Sequence, residues 1–224
     1  MYSLLFKNRF ELFLISQLCI LFGSLLFPID FFERVLLPLL FLTNIIAGII
    51  LISRNKKLMW FFIILLGISS VAIGSSMLLQ TNDDSPVLVR LVVFFVFQIF
   101  VTYQIIMQIW NAKSVNKKVI IGLMSGYISL GFLAFLLFLM IEILQPGSFK
   151  GDLLNTTSFD MKADSLMYYA YITLLTIGYG EIVPVTQVAQ KAAVLTGLVG
   201  QFYLVIITAV VVEKYISHNS NKID

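Results

Sequence analysis

Charge is what this sequence has least of: only 12% of its 224 residues are Asp, Glu, Lys or Arg, about half the share usual in a water-soluble domain. With 59% of the residues hydrophobic, the composition fits a membrane protein of about six spans of some 20 residues each. Nothing is left over for an appended nucleotide-binding or ligand-sensing module, and a soluble enzyme is argued against on the same ground. Cysteine and histidine are nearly missing, with Cys19 and His218 the single examples. One cysteine closes no intrachain disulfide, and this pair supplies no metal cluster. A cleavable leader is also not expected. Lys7 and Arg9 precede the first apolar run, but Phe27-Pro28-Ile29-Asp30 follows it in place of small residues, so the run reads as a retained span.

Apolar run length puts spans near Phe10–Ile29, Val35–Ser53, Leu58–Leu79, Val87–Trp110, Val119–Leu144 and Val188–Val212. Between the last two lies a shorter apolar stretch, Ser165–Leu175, too short to cross and suited to a re-entrant helix capped by Asp164 or Ser165. The longest polar connection, Gln145–Asp164, precedes it. Loops on one side carry ten lysines and arginines against three acids, a net +7, and those on the other carry five against nine, a net −4. The basic side is cytoplasmic by the positive-inside rule, which puts both termini in the cytoplasm and the re-entrant stretch outside. The basic loops lack the clustering of a nucleic-acid or lipid-specific patch and read as topology signals. The expected fold is an all-α, multi-pass cell-membrane protein, with a four-helix part over residues 1–112 and a second part over 113–224.

The re-entrant stretch ends in Thr176-Ile177-Gly178-Tyr179-Gly180-Glu181. A pore that strips a potassium ion of its water must replace the hydration shell with rings of backbone carbonyls. Successive carbonyls can face one axis only if ordinary and left-handed backbone angles alternate, which glycine accepts and residues with a Cβ resist. Gly178 and Gly180, two apart, meet that requirement. Thr176 adds a hydroxyl, and Tyr179 is free to turn its ring away from the axis to a partner behind the strand.

The run Tyr168-Tyr169-Ala170-Tyr171-Ile172-Thr173-Leu174-Leu175-Thr176-Ile177-Gly178-Tyr179-Gly180-Glu181-Ile182-Val183-Pro184 resembles the pore helix and selectivity filter of tetrameric potassium channels, whose usual filter reads T-V-G-Y-G-D. The helices on either side extend the resemblance over about the last hundred residues, and Gln145-Pro146-Gly147-Ser148-Phe149 looks like the outer turn of small prokaryotic members. The first 110 or so match only as a generic four-span bundle. The resemblance implies a homotetramer with one filter strand per chain and passive potassium conduction. K+ is the permeant ion, held at Thr176, Ile177, Gly178, Tyr179 and Gly180, and no other cofactor is implied. Three residues depart from the family pattern: Ile177 for valine, Glu181 for aspartate, and Leu175 where many members carry threonine. The last two bear on filter inactivation and blocker sensitivity rather than on ion choice. Two other readings stay open: a modulatory subunit that assembles with other pore chains, and a cation channel of relaxed selectivity.

Around the filter, Glu181, Tyr168, Tyr169 and Glu142 are candidates for supporting the outer mouth, with Glu142 expected to hydrogen-bond the backbone near Val185 and Thr186. Gly200 suits either a hinge in the last helix or close helix packing. Leu204, Thr208 and Val212 fall about a turn apart and are candidate cavity and gate residues, with Val212 or Tyr215 at the lower constriction. Asn44, Gln98, Tyr103, Gln104 and Gln108 read as interhelical hydrogen-bonding residues. His218 lies in a tail where it reads as solvated, with a role in pH sensing the alternative. Asn155-Thr156-Thr157 matches a glycosylation sequon. About a dozen residues follow Val212, so regulation is expected through lipid, pH, the ion or a separate partner.

Steep voltage sensing needs three or four charges per subunit on the fourth span. From Arg90, every third position reads Val93, Val96, Ile99 and Thr102, and spans two and three contain no acid or base. Four copies of Arg90 crossing the whole field would give about 9 kcal/mol per 100 mV, against the tens used by a steep sensor. The conductance of the reconstituted protein is therefore expected to vary little with voltage. A steep sigmoidal conductance–voltage curve, with a midpoint that moves in Arg90→Gln, would refute this.

Overall fold

The computed structural model describes residues 8–28, 31–53, 56–57, 59–64, 67, 85–112, 116–156 and 158–220. Its α-helices among the described residues include α1 (Arg9–Phe22), α2 (Leu37–Ile52), α3 (Ser85–Trp110), α4 (Lys117–Leu144), α5 (Phe159–Leu174), α6 (Gln187–Phe202) and α7 (Thr208–Ser220). Two short strands, β1 (Phe149–Lys150) and β2 (Val183–Pro184), pair antiparallel. Among the described residues, Leu91–Trp110, Lys117–Leu144 and Gln187–Glu213 are long and apolar enough to cross a membrane, and Leu39–Ile52 is a shorter apolar helix. Most of the expected third span lies outside the described residues, as do Asp83 and Asp84 and the side chain of Arg90.

The first two spans differ from expectation in length. The first, expected to reach Ile29, gives way after Phe22 to a tight 3-10 turn over Gly23–Leu25. Here a Cβ on Gly23 would lie 2.4 Å from the Phe32 ring, and Pro28 further along disfavours helix in the residue before it. The second begins earlier than expected, with a π-helical turn over Phe32–Leu36 ahead of α2. Pro38 in the first turn of α2 has no N–H to give the preceding turn, a common cause of such irregularity.

Packing divides the chain into two compact units. The first gathers Met1–Leu65, Phe100–Ser129 and Ala209–Asp224; the second gathers Leu66–Ile99 and Leu130–Thr208. In the first, neutral polar side chains link the helices. Asn44 donates to Ser16 Oγ at 2.9 Å, Ser125 to Gln17 Oε1 at 3.2 Å, and the Thr102 and Ser129 hydroxyls meet at 2.5 Å. Arg9 donates to Gln108 Oε1 through Nε at 3.0 Å and Nη2 at 2.7 Å. Asn44 and Gln108 thus act as their sequence context suggested, whereas Tyr103 is exposed.

In the second unit α5 packs against α6 and also meets the C-terminal half of α4. The Phe138, Phe149 and Tyr169 rings form a cluster with centroids 5.2–5.5 Å apart. Two residues along α5, Tyr171 meets Phe132 edge-on at 6.0 Å. Gly131 admits the Tyr171 ring, since a Cβ there would lie 2.2 Å from it. Aromatic side chains thus hold α5 against α4 by large apolar contact with fixed geometry.

Candidate functional site

Helix α5 has 16 residues, about 24 Å at 1.5 Å per residue, shorter than the hydrocarbon core of about 30 Å. It begins six residues before the expected Ser165, with Ser158 in extended backbone at the cap position and no side-chain cap bond. The expected caps, Asp164 and Ser165, therefore lie inside the helix. Ser165 Oγ instead bonds the carbonyls of Met161 at 2.9 Å and Leu153 at 3.0 Å.

The C-terminal end of α5 carries the unusual chemistry. Thr176 N–H donates to Thr173 O at 3.1 Å and Ile177 N–H to Ile172 O at 2.9 Å, which is the paired closure of a Schellman motif. The residue after the cap in that motif is left-handed and usually glycine; here it is Thr176, at φ 58°. Among the described residues it is the single non-glycine with positive φ. A β-branched residue there costs about 1–2 kcal/mol and persists only where its surroundings impose it, a pattern found at functional sites. Gly178 at φ 57° and Gly180 at φ 94° continue the series, so every second residue from 176 to 180 is left-handed.

The amides of Thr176, Ile177 and Gly178 all turn back to the last carbonyls of α5. Among the described residues no backbone N–H takes the carbonyls of residues 176–180. Leu175, Ile177 and Tyr179 are exposed, Tyr179 by 73%, and within the single chain Tyr179 has no hydrogen-bond partner among the described residues. The packing expected for its ring is thus absent from one chain alone.

Past the strand, the Tyr168 hydroxyl donates to Glu181 Oε1. That carboxylate pushes the Tyr168 phenol up to about 12, so tyrosine stays a donor at any ordinary pH. Sequence reasoning singled out both residues without pairing them; they are thirteen apart, and only the reversal after α5 brings them together. Tyr169 lies in the aromatic cluster. Glu142 differs from its expected role: its oxygens accept from Gly147 N at 2.9 Å and Phe149 N at 3.2 Å, and not from Val185 or Thr186. Those two residues are reached through Ser148, as Val185 N–H donates to Ser148 O at 2.8 Å and Thr186 Oγ1 to Ser148 Oγ at 3.1 Å. Gly151 was also missed. Its Cβ would lie 2.1 Å from Glu181 O, a requirement set by space, since its φ of 164° is extended backbone open to any residue.

On the last helix, Gly200 faces Leu174, whose carbonyl oxygen would lie 2.7 Å from an added Cβ. Packing thus gives this glycine a reason of its own. The helical irregularity lies just beyond, in a π-helical turn over Tyr203–Ile207 between α6 and α7. Leu204, Thr208 and Val212 are all exposed in the single chain. The side chains of Tyr215 and His218 lie outside the described residues, as does Thr157 of the sequon.

Two long apolar helices, with a short helix and a left-handed strand between them, define a membrane protein built around a helix–turn hairpin. Residues 122–217 match the family model described as "Ion channel". The match spans 96 of the 224 residues and likens this segment to an ion channel. No curated protein and no solved structure matches the chain.

Gly197 offers a control for Gly200, because a Cβ at Gly197 meets nothing within 4 Å. Gly197→Ala is expected to be neutral or to stabilise by up to about 1 kcal/mol through helix propensity. Gly200→Ala, pressed on a backbone carbonyl, should destabilise by about 1–3 kcal/mol. Thermal melts of the two variants in detergent check the difference, and equal melting temperatures would remove the packing role.

Proposed function

We propose that the chain is the subunit of a potassium-selective channel that conducts passively across the cell membrane. The observation that carries this is the left-handed backbone at Thr176, Gly178 and Gly180, which is the condition for successive carbonyls to face one axis. The carbonyls of 176–180 lack backbone partners among the described residues, so they are available in place of an ion's hydration shell.

One strand supplies one oxygen per level and a ring needs several, so the unit is a homotetramer with the pore on its axis, the ordinary closed symmetry for such assemblies. The exposed Tyr179 and the apolar outer face of α6, with Val194, Leu195 and Leu198 exposed, then find their partners on neighbouring copies or in lipid. Each subunit has six spans, a re-entrant α5 and cytoplasmic termini, and residues 1–112 form a four-helix part without gating charges. Leu204, Thr208 and Val212 line the inner cavity. The negative end of the α5 dipole aims at a cation there.

Purified protein in liposomes tests this reading. Potassium flux that far exceeds sodium flux and is blocked by barium is the expected result. Equal fluxes of the two ions would remove the selectivity, and no flux from the pure protein would favour the modulatory-subunit reading.

A further inference from the structure

Between Gly178 and Val183 the chain makes no backbone hydrogen bond among the described residues. Besides the Tyr168–Glu181 bond, its course is set by the Schellman closure before it and by what holds the chain after it. The segment 145–154 supplies that second anchor, because it touches every element that frames the strand.

The links form a directional series. At the N-terminus of α6, Ala189 N–H donates to Thr186 Oγ1 at 3.3 Å. Thr186 Oγ1 gives its one proton to Ser148 Oγ at 3.1 Å, and Ser148 Oγ gives its own to Gln145 O at 2.7 Å. Gln145 N–H in turn closes the last turn of α4 on Ile141 O at 2.9 Å. Each hydroxyl proton is used once, and Ser148 is fully buried.

The turn that presents Ser148 is itself held by Glu142, which accepts from the amides on both sides of it. Immediately downstream, Phe149 and Lys150 pair with Pro184 and Val183. Gly151 then lies against the Glu181 carbonyl, and Leu153 O receives Ser165 of α5.

We propose that this segment is a buckle whose positioning residue is Ser148, and that it holds the filter exit, Glu181–Thr186, in the conducting form. The proposal rests on the potassium-channel reading and assigns a determinant of how long the filter stays open. It places that determinant in the loop between α4 and α5 and not in the filter sequence.

The test uses the full chain reconstituted in planar bilayers, with Ser148→Ala as the variant and Thr186→Ser, which keeps both hydroxyl bonds, as the conservative control. Loss of one buried hydrogen bond of ordinary strength should shorten conducting bursts about two- to tenfold in Ser148→Ala, leaving the potassium-to-sodium ratio and the melting temperature near the parent's. Thr186→Ser should match the parent. Glu142→Gln, which leaves one acceptor oxygen where there were two, should shift burst length the same way and serves if Ser148→Ala does not assemble.

Amide hydrogen exchange over residues 183–190 gives a readout that needs no current, and it should quicken in Ser148→Ala by a similar factor. Unchanged exchange would overturn the buckle. Quicker exchange with unchanged bursts would overturn its role in conduction. A parent that carries no potassium would overturn the channel reading, with exchange still deciding the buckle.

Discussion

A backbone carbonyl without a hydrogen-bond partner is costly in a membrane protein, where no solvent replaces the missing donor. Among the described residues, no backbone N–H takes any of the five carbonyls of residues 176–180. These residues also hold a threonine in left-handed backbone at the first of these positions. Neither condition survives unless the surrounding fold imposes it, and much of the second unit can be read as the means of doing so. The strand leaves α5 through a hydrogen-bonded closure that fixes Thr176. The chain re-enters regular structure through the β1–β2 pair and the capped start of α6.

The elements behind the strand keep α5 in place with contacts that leave little slack. Gly131 lets the Tyr171 ring sit on α4, and Gly200 lets α6 approach the Leu174 carbonyl at the base of the strand. In each case the absent side chain allows a close approach that an alanine would prevent. The first unit is built differently, from neutral polar pairs such as Asn44 with Ser16 and Ser125 with Gln17. Such pairs fix helix register at membrane depth without carrying charge through the field.

How far the sequence disclosed this depended on how local each feature is. The left-handed backbone at Gly178 and Gly180 was legible because alternation of glycines is a property of neighbouring residues, and the long helices were legible from hydropathy. The start of α5 was not, since Asp160, Lys162 and Asp164 make its first turns read as loop. Left-handed Thr176 was also hidden, as propensity rules disfavour a β-branched residue there and the closure that compels it involves Ile172 and Thr173. The part of Gly200 in packing is decided by a carbonyl 26 residues away. Glu142 was recognised as a support but assigned the wrong partners, because Ser148, and not Glu142, is the residue that reaches Val185 and Thr186. The early end of the first span follows from Phe32 packing over Gly23, again a contact between distant positions.

The central claim is that the carbonyls from Thr176 to Gly180 of four chains surround one axis and replace the water around a potassium ion. Anomalous scattering from crystals of the full chain grown with thallium in place of potassium tests it most directly. A column of thallium peaks on a four-fold axis beside these residues is expected, successive sites about one residue length, some 3.3 Å, apart. Thallium absent from that axis, or an assembly whose symmetry brings no four filter strands together, would contradict it.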